Sequence, residues 1–285
     1  MYKKKHCSRK RNKLSYSCMT KSMLKTLARK MNKITKKKIK PTTNMKRLYR
    51  QICDISRNEF KCNNETCWLN IKELQDSMTS KELKEFRKHF RPMLPKDVQK
   101  DYNAWLSNFD IDGVMGQLVF DHGDFHYYDA TPIDFHKCEV SDLCSFDLQN
   151  HHRSGKKKIG MVFNTDRSDQ SGTHWIAMYI DSDGKNLSNT PGIYYFDSYN
   201  NGIPQQITDL IDKIKNQGKK NNIEFIVTSN DQKLQKNNYS CGYYCMHFLE
   251  NMVKEFPFSK YKKKISDDVM NRYRFECFIH PKEIK

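Results

Sequence analysis

A chain of 285 residues with 37% hydrophobic and 12% aromatic content can pack one sizeable domain plus an appendage. No apolar run approaches a membrane span, and the opening MYKKKHCSRK lacks the apolar stretch of a secretory signal, so a soluble, intracellular protein is expected, its ten cysteines reduced. The net charge of +18 is unevenly spread: the first 50 residues hold 19 Lys and Arg and no acid, and the rest holds 32 basic against 33 acidic residues.

Taken in chain order, SMLKTLARKMNKITKKKIK spaces Met23, Leu24, Leu27, Met31 and Ile34 at helical intervals. So much like charge predicts a basic amphipathic helix that orders on a partner. KPTTN at 40–44 reads as a break, which makes residues 1–45 a basic arm and 46–115 a helical segment. Within that segment SKELKEFRKHFRP predicts a short helix ended by Pro92, and RPMLPKDVQKDYNAWLSNFDIDGVMGQL a loop and then a helix. Residues 116–285 form the expected core domain. There KKIGMVFNTD, HWIAMYID and GIYYFDSYN are short β-branched and aromatic runs of strand type. Ile207, Leu210, Ile211 and Ile214 mark an amphipathic helix, IEFIVTSN another strand, and Cys241, Cys245, Phe248, Leu249 and Met252 a helix that stops before Pro257. The order strand, strand, strand, helix, strand, helix describes an α+β fold.

Candidates for thiol chemistry fall at the ends of these elements. A nucleophilic cysteine needs a base, a group to hold that base, and donors for an oxyanion. Cys241 opens a helix, where the dipole and unpaired N–H groups favour thiolate. His174 starts a strand in GTHWIAMYID, Asp197 closes the next in YYFDSYN, and Gln235 lies in the loop before Cys241. Each has an ordinary alternative: a structural histidine, a turn-forming aspartate, a solvated glutamine, a core cysteine. The chain order His, Asp, Gln, Cys is what makes the set specific.

Those motifs, His-Trp, Asp-Ser and Gln-x5-Cys-Gly, resemble the adenain and SUMO-protease superfamily of cysteine peptidases over residues 157 to 255. The stretches CNNETCWL, WLSNFDID and NTDRSDQSGTHWIAMYID are similar to one branch, the polyprotein-processing proteases of asfarvirus-like large DNA viruses. The resemblance implies a papain-type core preceded by a mainly helical segment, with His174, Asp197 and Cys241 as triad and Gln235 as oxyanion donor. It implies cleavage of viral structural polyproteins after Gly-Gly-type sites, in host cytoplasm and virion. Two positions depart: Asp197, as in SUMO proteases, stands where the asfarvirus-type enzyme has Asn, and Ser240 where the superfamily usually has an acidic residue. An Asp in that place predicts a thiolate–imidazolium pair, with the thiol below the roughly 8.5 of a free cysteine.

No cofactor or metal is expected. Cys62 and Cys67 with His89, or Cys138 and Cys144 with His136, lack the second pair of a zinc site. Cys245 and Trp175 read as packing residues, and His151-His152 as a solvated loop. The first 50 residues are expected to bind nucleic acid by counterion release, or to act as a targeting signal. Two other functions compete with the peptidase: a deconjugating protease for ubiquitin-like modifiers, and a basic nucleic-acid-binding virion protein with a vestigial protease fold.

Overall fold

The computed structural model describes residues 6–8, 14–263 and 265–283. The chain divides into two compact units, Met1–Leu94 with Cys277–Lys285, and Pro95–Glu276.

The first unit is helical. Helix α1 (Lys21–Ile34) begins where the Thr20 hydroxyl accepts the Met23 N–H, and it buries Met23, Leu24, Leu27, Ala28 and Met31. Helix α2 (Met45–Phe60) begins at Asn44, which accepts the Arg47 N–H, and ends where Lys61 turns left-handed at φ 57°. Short helices α3 (Glu65–Trp68), α4 (Lys72–Asp76) and α5 (Ser80–Arg87) bring Trp68, Leu74 and Phe86 to the same core. Burying each large apolar side chain of α1 contributes roughly 1.5–3 kcal/mol. That outweighs repulsion among lysines that stay in water, so α1 is ordered without a partner.

This division differs from the expected arm and segment. Residues 14–45 lie inside a folded unit that runs to Leu94, and the second unit begins at Pro95, not 116. The physical reason is that the apolar face of α1 finds its complement in α2 and the short helices. The Lys and Arg residues among 1–5 and 9–13 lie outside the described residues.

The expectation of reduced cysteines is corrected at six positions. Disulfides join Cys7 to Cys18, Cys62 to Cys67 and Cys138 to Cys144, with Cα atoms 5.1, 5.5 and 5.2 Å apart. Each pair is close in sequence, 11, 5 and 6 positions apart, and its Cα atoms stand within bridging distance. Cys53, Cys241, Cys245 and Cys277 are outside these bridges and buried.

The second unit is built on a five-stranded sheet in the order β1 (Phe125–Pro132), β2 (Lys158–Asn164), β3 (Trp175–Asp181), β4 (Gly192–Phe196) and β5 (Ile226–Ser229). The β1–β2 and β4–β5 pairs are parallel and the two between them antiparallel. Helix α6 (Lys96–Lys100) and helix α7 (Asn108–Asp121) precede the sheet, and α8 (Leu148–Arg153) lies between β1 and β2. Helix α9 (Gln205–Lys220) crosses from β4 to β5 and packs Ile207, Leu210, Ile211 and Ile214 on Ile159, Met161, Phe163, Ile176, Met178 and Ile193. Helix α10 (Cys241–Val253) packs against β3 and β2 and is buried along nearly its whole length. Gly160 permits that approach: a Cβ there would come within 2.8 Å of the Phe125 ring and 3.2 Å of Leu249. Helix α11 (Asp267–Cys277) follows.

The α+β class and the order of six of these elements, β2, β3, β4, α9, β5 and α10, match the sequence reading. Strand β1 was not expected. Nor is His151-His152 a solvated loop: the pair sits on α8, with His151 Nε2 2.7 Å from the Tyr128 hydroxyl and His152 Nε2 2.9 Å from Ser182 Oγ. No helix among the described residues is long and apolar enough to cross a membrane.

Candidate active site

The start of β3, the end of β4, the start of α10 and the loop before it bring the four predicted residues into one buried region. Cys241 is the first residue of α10, 3% exposed, so its sulfur sits where the first-turn N–H groups of a thirteen-residue helix lack intrahelical partners. The turn in front of it is held by Asn237, whose Oδ1 accepts the N–H groups of Tyr239 and Ser240 at 3.1 and 3.0 Å. Asn237 Nδ2 also donates to Ser240 Oγ at 2.9 Å. These bonds hold the turn itself, and Ser240 supplies no side-chain cap to α10.

His174 lies just before β3, and its carbonyl accepts the Thr165 N–H at 2.9 Å. Its Nε2 is 2.6 Å from Asp197 Oδ1. Its Nδ1 is buried with no hydrogen-bond partner, and the Cys241 thiol is the other group that acts on the ring. The ring thus feels the sulfur while Nδ1 makes no hydrogen bond, as is common before substrate binds. Tyr199 stacks on the imidazole at 4.8 Å between centroids and 24° between planes, which fixes the ring against rotation.

Asp197 follows β4 and is 1% exposed. Its carboxylate accepts three N–H groups: His174 Nε2–H, the Tyr199 backbone at 2.8 Å and the Asn201 backbone at 2.8 Å. Asn230 clamps its main chain, accepting the Asp197 N–H at 3.0 Å and donating to its carbonyl at 2.7 Å. Burial alone would raise this acid, but the imidazole and the two backbone N–H groups outweigh it and hold it below the usual carboxylate value. Burial likewise pushes His174 down, while the Asp197 carboxylate and the Cys241 sulfur pull it further up, to about 9. At neutral pH the imidazole is therefore a cation flanked by the Asp197 carboxylate and the Cys241 sulfur.

Gln235 is fully buried. Its Oε1 accepts the Ser198 hydroxyl at 2.7 Å, and its Nε2 donates to the Asn237 carbonyl at 2.8 Å and, more weakly, to the Tyr199 hydroxyl at 3.3 Å. Ser198 therefore sets which end of the amide points which way. One amide hydrogen is committed, and the long contact leaves the other exchangeable for a better acceptor.

Sequence reasoning singled out these four, which the structure brings together, and missed the groups that hold them: Ser198, Tyr199, Asn230 and Asn237. Ser198 stood in the Asp-Ser motif; Tyr199 and Asn230 carry no local signal because they act on His174 and Asp197, distant in sequence, and Asn237 is one of several Asn residues in a polar loop. Trp175 is buried as expected, and its indole N–H donates to the Leu106 carbonyl at 3.0 Å. Cys245 is fully buried, and burial pushes its thiol up, which suits packing rather than reaction.

Comparison with known proteins agrees with this arrangement. The family model described as YopJ Serine/Threonine acetyltransferase matches residues 131–282, more than half of the chain. A thiol protease of Acanthamoeba polyphaga mimivirus is 30% identical over 156 residues, which is 54% of this chain and 49% of that protein. The chain thus aligns with about half the length of that relative. A protein of African swine fever virus named as a SUMO-1 cysteine protease is 23% identical over 235 residues, 76% of this chain and 83% of the relative. In fold, the crystal structure of the African swine fever virus protease superposes with a TM-score of 0.69 at 18% identity, covering 96% of each chain. The chain belongs to the family of the YopJ Serine/Threonine acetyltransferase model, within the adenain and SUMO-protease superfamily of cysteine peptidases.

Proposed function

We propose that the chain is a viral cysteine endopeptidase that cuts structural polyproteins after Gly-Gly-type sequences during particle maturation, in host cytoplasm and virion. The observation that carries this reading is the His174–Asp197 pair at 2.6 Å, with the second imidazole nitrogen unbonded beside Cys241. The Cys241 thiolate attacks the peptide carbonyl carbon, and the resulting oxyanion takes N–H groups from the α10 N-terminus and from Gln235. His174 gives its proton to the leaving amine as the C–N bond breaks. A water, losing a proton to the same imidazole, then attacks the thioester carbonyl, and collapse breaks the C–S bond, releases the acid and restores the thiolate–imidazolium pair. The test is a peptide vinyl sulfone ending in Gly-Gly, followed by mapping of the modified residue. Exclusive labelling of Cys241 supports the reading, and an unmodified Cys241 sinks it.

Two other readings have specific support. The family match over residues 131–282 favours acetyl transfer, in which a Ser or Thr hydroxyl instead of water discharges the acyl-cysteine. The name of the African swine fever virus relative favours removal of a ubiquitin-like modifier. A capsid polyprotein fragment, a modifier fusion and a thioester acetyl donor, offered in parallel, separate the three.

The basic segment supports a second role, retention on nucleic acid. Lys21, Lys25, Arg29 and Lys33 lie exposed on α1, opposite its buried side. Such a surface gains affinity by counterion release and is indifferent to sequence.

A further inference from the structure

Arg274 is 1% exposed, yet no carboxylate pairs with it among the described residues, and its Nε and Nη2 meet no acceptor there. A buried cation without a counter-charge costs stability, and an apolar side chain of the same volume would fill the space at less cost. What an arginine adds must therefore lie in its particular contacts. Its Nη1 donates to the Tyr102 carbonyl at 2.7 Å. Its guanidinium carbon lies 3.7 Å from the Tyr102 ring centroid, 4.7 Å from Tyr243 and 5.7 Å from Tyr239. A guanidinium is weakly hydrated and flat, so ring faces can replace much of its water.

These three rings belong to three segments that meet at the nucleophile. Tyr239 stands two residues before Cys241, Tyr243 stands two after it, and Tyr102 lies in the loop 101–107 between α6 and α7. That loop also touches the neighbours of both reacting residues. The Leu106 carbonyl accepts the indole N–H of Trp175, next to His174. The Leu106 side chain comes within 3.3 Å of where a Cβ on Gly242, next to Cys241, would stand. The loop turns Tyr102 and Trp105 outward, 44% and 46% exposed.

We propose that Arg274 is a positioning residue for the peptidase reaction: from behind, it clamps the 101–107 loop to the turn that carries Cys241, and so sets the wall against which an extended peptide lies. It touches neither substrate nor reacting atoms, so its loss weakens substrate binding more than the chemical step. The inference rests on the peptidase reading.

The test is Arg274→Met, which keeps side-chain volume and removes the planar cation, with Arg274→Lys, which keeps charge but not the flat face. Steady-state cleavage of a Gly-Gly-aminocoumarin peptide should show KM raised about ten-fold, the effect of removing one buried cation–aromatic interaction, with kcat changed by less than about three-fold. Iodoacetamide should alkylate Cys241 at the parental rate. Amide hydrogen exchange should accelerate over 101–107 and stay unchanged over 175–181. Parental KM and parental exchange in both variants overturn the clamp. If Arg274→Met fails to fold, Tyr102→Ala at a half-exposed ring decides: it too should raise KM, and parental KM there overturns the proposal. If the parent cleaves no peptide, the peptidase reading falls, and hydrogen exchange alone judges the clamp.

Discussion

Asp197 holds His174 through one ring nitrogen, Nε2 to Oδ1 at 2.6 Å, and leaves the other, Nδ1, buried and unbonded beside Cys241. One nitrogen is spent on orientation and the other is kept for proton transfer. The carboxylate itself is over-determined by two backbone N–H groups and by the Asn230 clamp on its main chain, so the imidazole cannot turn away.

Cys241→Ala and His174→Ala should each abolish peptide cleavage, because the two act as one unit. Circular dichroism should remain that of a folded protein in both; Cys241 stands at a helix start that tolerates a small residue, whereas His174→Ala should melt lower because it strips the buried Asp197 carboxylate of its partner. Full activity in either variant contradicts the mechanism.

The same pair makes stability depend on pH. His174 is raised from 6.5 to about 9, so its contribution is complete below pH 6.5 and is lost as pH rises through about 9. Asp197 is lowered from 3.8, so its contribution is complete above pH 3.8 and is lost on acidification through its folded value. The pair is at full strength between those two reference values. The melting temperature of the parent should fall from pH 6.5 to 9 more steeply than that of His174→Gln. Parallel profiles would show that the imidazole is not raised by its partners.

Asp197→Asn should keep substantial activity, because an amide oxygen still accepts the imidazole N–H. It should not be fully active, since the new NH2 group confronts the Asn201 N–H that now meets Oδ2. Asp197→Ala loses orientation and charge together and should fall much further. Gln235→Ala should cost about 10²–10³ in kcat, the usual effect of removing one oxyanion donor. Ser198→Ala should cost less, because it frees the Gln235 amide to turn without removing it. Equal damage from Asn and Ala at 197 would show that the site needs charge and not orientation.

Much of the second unit was legible because its signals are local. The strands are continuous apolar runs, α9 repeats Ile and Leu at helical spacing, and α10 follows a polar loop. Strand β1 was not legible: FHYYDATP mixes Asp129 and His126 into a run at the sheet edge, where one side needs no burial, and the register shifts between Tyr128 and Thr131. The residues that hold the site were illegible for another reason. Asn230 reaches Asp197 across 33 positions and Trp175 reaches Leu106 across 69, and no local pattern encodes such a pairing. The basic segment folds against the expectation that its charge raises. Its lysines stay in water at small cost, while its apolar stripe decides the outcome.

The cysteines offer a direct chemical count. Denatured without reductant, the protein should expose four thiols, those of Cys53, Cys241, Cys245 and Cys277, and ten after reduction. Ten thiols without reductant would restore the reduced state that the composition first suggested.

Nucleic-acid retention is best tested by charge and not by truncation. Deleting residues 1–45 removes α1 and uncovers Ile52, Trp68 and Leu74, which are fully buried in the first unit, so that deletion should lower stability whatever the segment binds. Lys21, Lys25, Arg29 and Lys33 are exposed and four residues apart, which sets them about 6 Å from one another along the axis. Lys30 differs, since it is pinned to Glu82 at 3.0 Å and to the Ser77 carbonyl at 2.6 Å, and it should be left intact. Reversing the four exposed charges to Glu should leave the melting transition nearly unchanged, because the buried apolar face of α1 is untouched. Binding to a fluorescent DNA duplex should weaken severalfold at low salt, and the slope of log K against log salt should flatten by about 0.9 for each phosphate that is no longer neutralised. Cleavage of a short peptide should stay at the parental rate. Parental DNA affinity and slope in the reversed variant would remove α1 from the docking surface and leave the basic residues elsewhere in the first 50 as the site.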